Sequence, residues 1–340
     1  MSRAVVRTAG VALFAAVAAA AAAAGPPGVV TADFRVPALD AGIELHVHHK
    51  HPPLSASHPG AGIVLFVHGA TFPASSTFDV PLQGGSWMDR IAGDGYDTYA
   101  LDVRGYGGST RPPAMSQPPE ANSPFARTAD AVRDISAAVD FILARRQATR
   151  LTLIGWSWGT TTTAAYAAQY PDKVQALVLV SPVWLGVQPP KYAGAYRTST
   201  RDSARAFAIA GIPRERVEEI SPVSAFDAWW SATLATDPEG ARQTPPVVRS
   251  PNGVLQDFAE LWAAGKSGAY DPAGIRAPTL LVVGEWDVVT PPSMAQALFP
   301  RLTNARERRL IQFSEATHFL VIEKHRERLM REVQNFLHEQ

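Results

Sequence analysis

Leu151-Thr152-Leu153-Ile154-Gly155-Trp156-Ser157-Trp158-Gly159 joins a largely apolar run to a small-residue stretch, Thr160 to Gln169. A short apolar run ending in glycine reads as a buried strand, and the small residues behind it as a helix packed closely against it. A serine between the two sits on a very tight turn with strained backbone angles. Gly155 and Gly159, two before and two after Ser157, avoid side-chain clashes with the neighbouring strand and helix. The turn lifts the hydroxyl above the sheet edge and sets a helix N-terminus behind it, where developing negative charge is favoured. Ser157 is the candidate nucleophile.

Outward from this turn the pattern alternates. Ile43–His49, Gly62–Val67 and Asp97–Val103 read as strands, and Asp130–Arg146 as an amphipathic helix with Val132, Ile135, Val139 and Ile142 at helical spacing. Ala176–Ser181, Leu280–Gly284 and Arg309–Phe313 are further strands, and Phe319–Leu337 is a final amphipathic helix. Strands that are apolar throughout and alternate with helices indicate a mostly parallel sheet covered on both faces. Residues 184–276 show no clear strand, but carry helical pieces, prolines and many aromatics. They read as a helical lid inserted into a core formed by 25–183 and 277–340. Helices inserted at strand C-termini lie over the crevice where such sheets bind ligands. Trp184 and Trp229 in the lid, and Trp156 beside the serine, are the candidate pocket residues.

The ends and the composition narrow the classes. Residues 1–24 read as a secretory signal: Arg3 and Arg7 open it, Val11 to Ala24 is apolar, and small residues precede the cut. The run is short of the roughly 20 residues a membrane span needs. The expectation is a periplasmic or secreted protein without a stable membrane anchor once the signal is cleaved. Lys+Arg and Asp+Glu both total 31, which gives no support to a nucleic-acid partner. The absence of cysteine excludes disulfides, a thiol nucleophile, cysteine-ligated metal and a lipoprotein anchor.

The chain order serine, acid, histidine places the base beyond the acid. Of the late histidines, His325 and His338 fall in the last helix, whereas His318 stands in a loop after the last strand, so His318 is the candidate base. Asp287 ends the strand Leu280–Gly284 and is the candidate acid, with Glu285 its competitor. The acid holds the imidazole in the right tautomer and stabilises the imidazolium. For the oxyanion, the backbone N–H of Trp158 supplies one donor, and Ala70, after the strand Gly62–Val67, supplies the second. His68 reads as a turn-former. Asp102 and Arg104 read as a local ion pair supporting the adjacent loops. His46, His48, His49 and His51 cluster on one strand; His46 and His48 share a face that would accept a metal, but solvated histidines on an edge strand are the favoured reading, and no metal or cofactor is expected.

His68-Gly69, Asp102 to Ser109, Gly155 to Gly159, Gly284 to Asp287 and Thr317-His318 together resemble the α/β-hydrolase superfamily, over roughly residues 40–338. The resemblance implies an α/β fold with an eight-stranded sheet, a lid after the sixth strand, and a triad and oxyanion hole at the positions named. Where the family often has glycine before the histidine, this chain has Ala316-Thr317. The activity expected is hydrolysis of a small or medium apolar or aromatic carboxylic ester through an acyl-enzyme on Ser157. An aminopeptidase, amidase or carbon–carbon hydrolase using the same residues is the alternative, and a non-catalytic ligand-binding protein the further one. An amine substrate would call for an acidic group in the lid; Asp202, Glu218, Glu219 and Asp227 are available.

Overall fold

Eight strands form one sheet: β1 (Val30–Pro37), β2 (Glu44–His51), β3 (Ile63–Val67), β4 (Asp97–Asp102), β5 (Leu151–Trp156), β6 (Val174–Val180), and, after two short strands described below, β9 (Thr279–Gly284) and β10 (Arg308–Phe313). Their spatial order is β1-β2-β4-β3-β5-β6-β9-β10. The pairs from β4 to β10 are parallel, and β2 runs against both neighbours. The computed structural model describes residues 28–53, 62–82, 84–184, 192–265 and 268–340. The segment read as a signal, 1–24, lies outside them.

The alternation of side chains divides the core into two halves. Leu65 and Val67 of β3, Leu153 of β5, Leu177 and Leu179 of β6 and Leu281 of β9 join one cluster. Val64 and Phe66, Ile154, Val178 and Val180, and Val282 join the other. The first cluster is closed by the helices Thr128–Arg146 and Trp158–Gln169, the second by Trp87–Gly93 and Arg326–His338. Central strands are thus buried on both faces, which is why they read as continuous apolar runs. Both edge strands are more polar, as an edge facing water requires: β1 buries only Val36, and β10 only Phe313. That exposure explains why β1 carries no strand signal in the sequence.

The last helix begins at Arg326, not Phe319. Phe319, Leu320, Val321 and Ile322 are all buried, so this run has no solvent face and enters the core as a turn. The helix itself takes up the one-sided pattern, with Leu329, Met330, Val333 and Phe336 inward.

Between β6 and β9 the chain contains helices, including Arg201–Ala208, Val223–Ala235 and Gly253–Ala263, and also two strands, β7 (Tyr196–Thr200) and β8 (Val247–Pro251), paired antiparallel. The expectation of no strand here is corrected. β7 and β8 hide from a periodicity reading because β7 is polar after Tyr196 and only partly buried, and Arg249 and Ser250 interrupt the buried run of β8. Arg249 on β8 donates from Nη2 and Nε to the fully buried Asp237, at 2.6 and 2.9 Å. Removing one partner of such a buried pair costs about 3–5 kcal/mol.

Candidate active site

All the parallel strands end on one edge of the sheet, and the loops leaving β3, β5, β9 and β10 meet there. Ser157 stands directly between β5 and the helix Trp158–Gln169 with φ 56° and ψ −124°. A non-glycine residue in this region stores about 1–3 kcal/mol of strain. The turn is as tight as its glycines imply: a Cβ on Gly155 would lie 2.4 Å from the Gly159 carbonyl oxygen, and one on Gly159 would lie 2.2 Å from that of Val67. The second contact presses the nucleophile turn against the end of β3, where the candidate oxyanion loop begins.

His318 lies in the loop after β10. Ser157 Oγ donates to His318 Nε2 at 2.8 Å, and His318 Nδ1 donates to Asp287 Oδ2 at 2.9 Å. Asp287 also accepts from the backbone N–H groups of Val289 (2.9 Å) and Thr290 (2.7 Å) and from Thr290 Oγ1 (2.7 Å). Burial pushes the Asp287 carboxyl up, but the facing imidazole and the Thr290 hydrogen bonds outweigh it and hold the pKa below the usual carboxylate value. Asp287 therefore stays ionised. Glu285 is exposed and accepts a hydrogen bond from the Glu315 amide; it is not near the imidazole's bonding nitrogens.

The loop carrying His318 is held from three sides. Trp156 Nε1 donates to the His318 carbonyl at 2.9 Å. Gly284 leaves room for the Ala316 carbonyl, which a Cβ there would meet at 2.3 Å. Thr317, which stands where a glycine is common, donates from its amide (2.9 Å) and its hydroxyl to the buried Glu323. Burial pushes the Glu323 carboxyl up to about 7 despite those two bonds. Glu323 was not foreseen; its signal, an acid just after four apolar residues, is faint.

Ala70 and Trp158 line the same cavity as Ser157 and His318. Among the described residues, neither backbone N–H has an acceptor, so both are free for an oxyanion. Ala70 is held on both sides of its amide: the Gly69 carbonyl of the same peptide accepts from His68 Nδ1, and the Ala70 carbonyl of the next one accepts from Tyr106 Oη (2.7 Å) and Arg197 Nη2 (2.5 Å). His68 is neutral and structural, as its place in a turn suggests: Nδ1 donates to the Gly69 carbonyl at 2.7 Å and Nε2 accepts from the Val103 amide at 3.1 Å. Burial lowers its pKa. Asp102 and Arg104 do not pair with each other. Asp102 accepts from the amides of Ala74 and Gly108 at 2.8 and 2.9 Å and from His46, whereas Arg104 reaches Asp134 and Asp40. The strand ends at Asp102 and the chain turns at Arg104, so two residues that would share a face in a continuing strand reach different partners.

The cavity has a volume of about 450 Å³, within the range of small-molecule sites. Trp156, Trp158 and Trp184 contribute to its wall, with Phe72, Phe207 and Phe258. Trp229 does not. Its ring packs on Phe72 (4.6 Å between centroids), Phe226 and Phe319, so it belongs to the aromatic core behind the wall. The sequence gives no sign of the one charged cation among the described lining residues, Arg197 on β7. Besides the Ala70 carbonyl, it donates to Thr71 Oγ1 (2.9 Å) and the Pro251 carbonyl (2.8 Å). All these acceptors are neutral, and burial lowers its pKa.

The chain matches the family model described as the alpha/beta hydrolase fold over residues 62–325. No curated protein sequence matches it. Among solved structures it is similar to a thermophilic esterase from Thermogutta terrifontis with malate bound, at 18% identity over 91% of this chain and 98% of that one, TM-score 0.57. It is also similar to a serine hydrolase involved in carbazole degradation, at 17% identity over 92% and 100%, TM-score 0.59. A third is the 2-hydroxy-6-oxo-6-phenylhexa-2,4-dienoate hydrolase of Rhodococcus sp. strain RHA1, at 15% identity over 91% and 99%, TM-score 0.54. At these identities the likeness is one of fold.

Proposed function

The chain belongs to the α/β hydrolase family, and on that premise we propose that it is a serine hydrolase cleaving small or medium apolar or aromatic carboxylic esters. One observation carries the reading: the Ser157 hydroxyl, on the cavity wall, donates at 2.8 Å to an imidazole whose other nitrogen is fixed on Asp287. Ser157 Oγ attacks the acyl carbonyl while His318 Nε2 takes its proton, and Asp287 steadies the imidazolium without taking the proton itself. The carbonyl oxygen, now an anion, rests on the amides of Trp158 and Ala70. Collapse of the tetrahedral intermediate sends the proton from His318 to the leaving alcohol, and water, activated by the same imidazole, clears the acyl-enzyme. A backbone donor of this kind contributes roughly 10²–10³-fold in kcat.

The wall chemistry favours an ester over an amine-bearing substrate. No carboxylate lies among the described lining residues. Of the acids available in the lid, Asp227 is paired with Arg201, and Glu219 with Arg216 and Lys324. The N-terminal signal reading adds the proposal that the protein acts in the periplasm or outside the cell.

A fluorophosphonate probe is expected to label Ser157 and to leave Ser157→Ala unlabelled. Turnover of p-nitrophenyl acetate and butyrate is expected to exceed that of aminoacyl-anilides. Folded protein that takes up no probe would point instead to a binding protein on this fold, and faster anilide turnover would point to an amidase.

A further inference from the structure

The histidine-rich strand β2 is not solvated. His46 and His48 retain only 17% and 13% of their side-chain exposure, because their ring nitrogens are engaged by carboxylates from three other parts of the chain. In the β1–β2 register Asp33 lies directly opposite His48, and His46 is two residues along β2, so all three share one face. Asp33 Oδ1 is 2.8 Å from both His46 Nε2 and His48 Nδ1. The three donor atoms lie within 4.8 Å of one another. Behind this trio, His46 Nδ1 is held by Asp102 at 2.8 Å and His48 Nε2 by Asp79 at 2.9 Å.

We propose that Asp33, His46 and His48 form a site for a divalent transition ion of the zinc class, with Asp102 and Asp79 as the carboxylates that orient the two imidazoles. The donor set supports this: imidazole and carboxylate together suit Zn²⁺ and its neighbours rather than Mg²⁺ or Ca²⁺. Metal-bound histidines typically give their remote N–H to a carboxylate, which fixes the tautomer and ring orientation; here both do so, from opposite sides. Ligand bonds of about 2.0–2.1 Å at a tetrahedral centre separate ligand atoms by about 3.3 Å. Each carboxylate–imidazole contact therefore opens by about half an ångström on loading. Asp33, 57% exposed, is free to make that movement and leaves an entry route, with water completing the coordination. The ion takes the place of the ring protons now shared with Asp33, and those protons go to solvent. Arg35, opposite His46 in the register, turns away to donate to the Gly108 carbonyl and makes no ion pair among the described residues, so Asp33 pairs with no cation there beyond the two imidazoles the ion would engage.

The site ties β1 and β2 to the end of β4, where Asp102 also holds the Ala74 and Gly108 amides. The test uses tag-free protein stripped with chelator and titrated with Co²⁺ as a spectroscopic stand-in for Zn²⁺. The expected result is saturable uptake of one equivalent with visible d–d absorption, and a rise in thermal midpoint on adding Zn²⁺. Asp33→Asn and His48→Gln are expected to weaken uptake at least 10-fold, and Asp79→Asn by about 10–100-fold. Because Asp33 is exposed, Asp33→Asn should melt as wild type does without metal, which separates lost binding from lost folding. No saturable uptake by wild type, or uptake of equal strength in wild type and Asp33→Asn, would overturn the proposal.

Discussion

Two histidines in this molecule give Nδ1 to a buried aspartate in nearly the same way: His318 to Asp287 at 2.9 Å, and His46 to Asp102 at 2.8 Å. They differ in what Nε2 meets. For His318 it is the Ser157 hydroxyl at the wall of an apolar cavity; for His46 it is a second carboxylate, Asp33, at the open edge of the sheet. A hydroxyl partner donates to Nε2, the nitrogen that takes the proton as the oxygen attacks. A second carboxylate favours the charged ring, and the pKa of His46 is accordingly raised, by the Asp102 hydrogen bond first and Asp33 after it. A histidine–aspartate pair is therefore not by itself a catalytic signature; the third partner and its access to a cavity decide.

The contrast is broken or sharpened by substitution. His318→Ala is expected to lower ester kcat by about 10⁴–10⁶-fold, while Asp33→Asn, at the other pair, changes it by less than about threefold; comparable losses in both would erase the distinction. A smaller effect is expected at Arg197. Arg197→Met removes a donor from the Ala70 carbonyl and should reduce kcat by about 10–100-fold, less than the loss of an oxyanion donor itself, with KM for a neutral ester little changed. A rise in KM at unchanged kcat would show that Arg197 binds substrate and does not hold the loop. The smallest effect concerns the way each histidine is mounted, His46 on a strand and His318 on a loop bound to Glu323. The folded-state pKa of Glu323, about 7, lies above the ordinary value because of burial. Its contribution to stability is full below the unfolded pKa of about 4.3 and is lost as pH rises through about 7. Glu323→Gln should flatten the decline in thermal midpoint between pH 5 and 8, and identical slopes in variant and wild type would refute this.

The site was legible where chemistry imposes a local pattern. Ser157 is marked by Gly155 and Gly159, whose neighbours leave no room for a Cβ. Asp287 and His318 follow from chain order and from standing at strand ends. Arg197 has no such mark, since it is one arginine on a short polar strand, and its meaning depends on a loop 127 positions away in sequence. Trp229 was misread as lining because a tryptophan in an insertion looks the same from sequence whether it faces a cavity or the ring of Phe72. The fold was legible in its buried centre, where β3, β5 and β9 are buried at every position and apolar but for Thr152 and Thr279. It was poorly legible at β1 and β7, which bury one apolar side chain each, and at β8, where Arg249 and Ser250 break the buried run.

Arg197 also gives the molecule a mechanical interlock. It rides on β7, yet it fastens the Ala70 carbonyl and the Thr71 hydroxyl of the loop after β3. Any outward swing of β7 that admits a larger guest must unfasten both bonds at once and leave that carbonyl to Tyr106 alone. If the Ala70 amide receives the oxyanion as proposed, its loop is held by both donors only while β7 stays in place, so a guest's fit under the roof and the chemistry beneath it depend on the same two bonds.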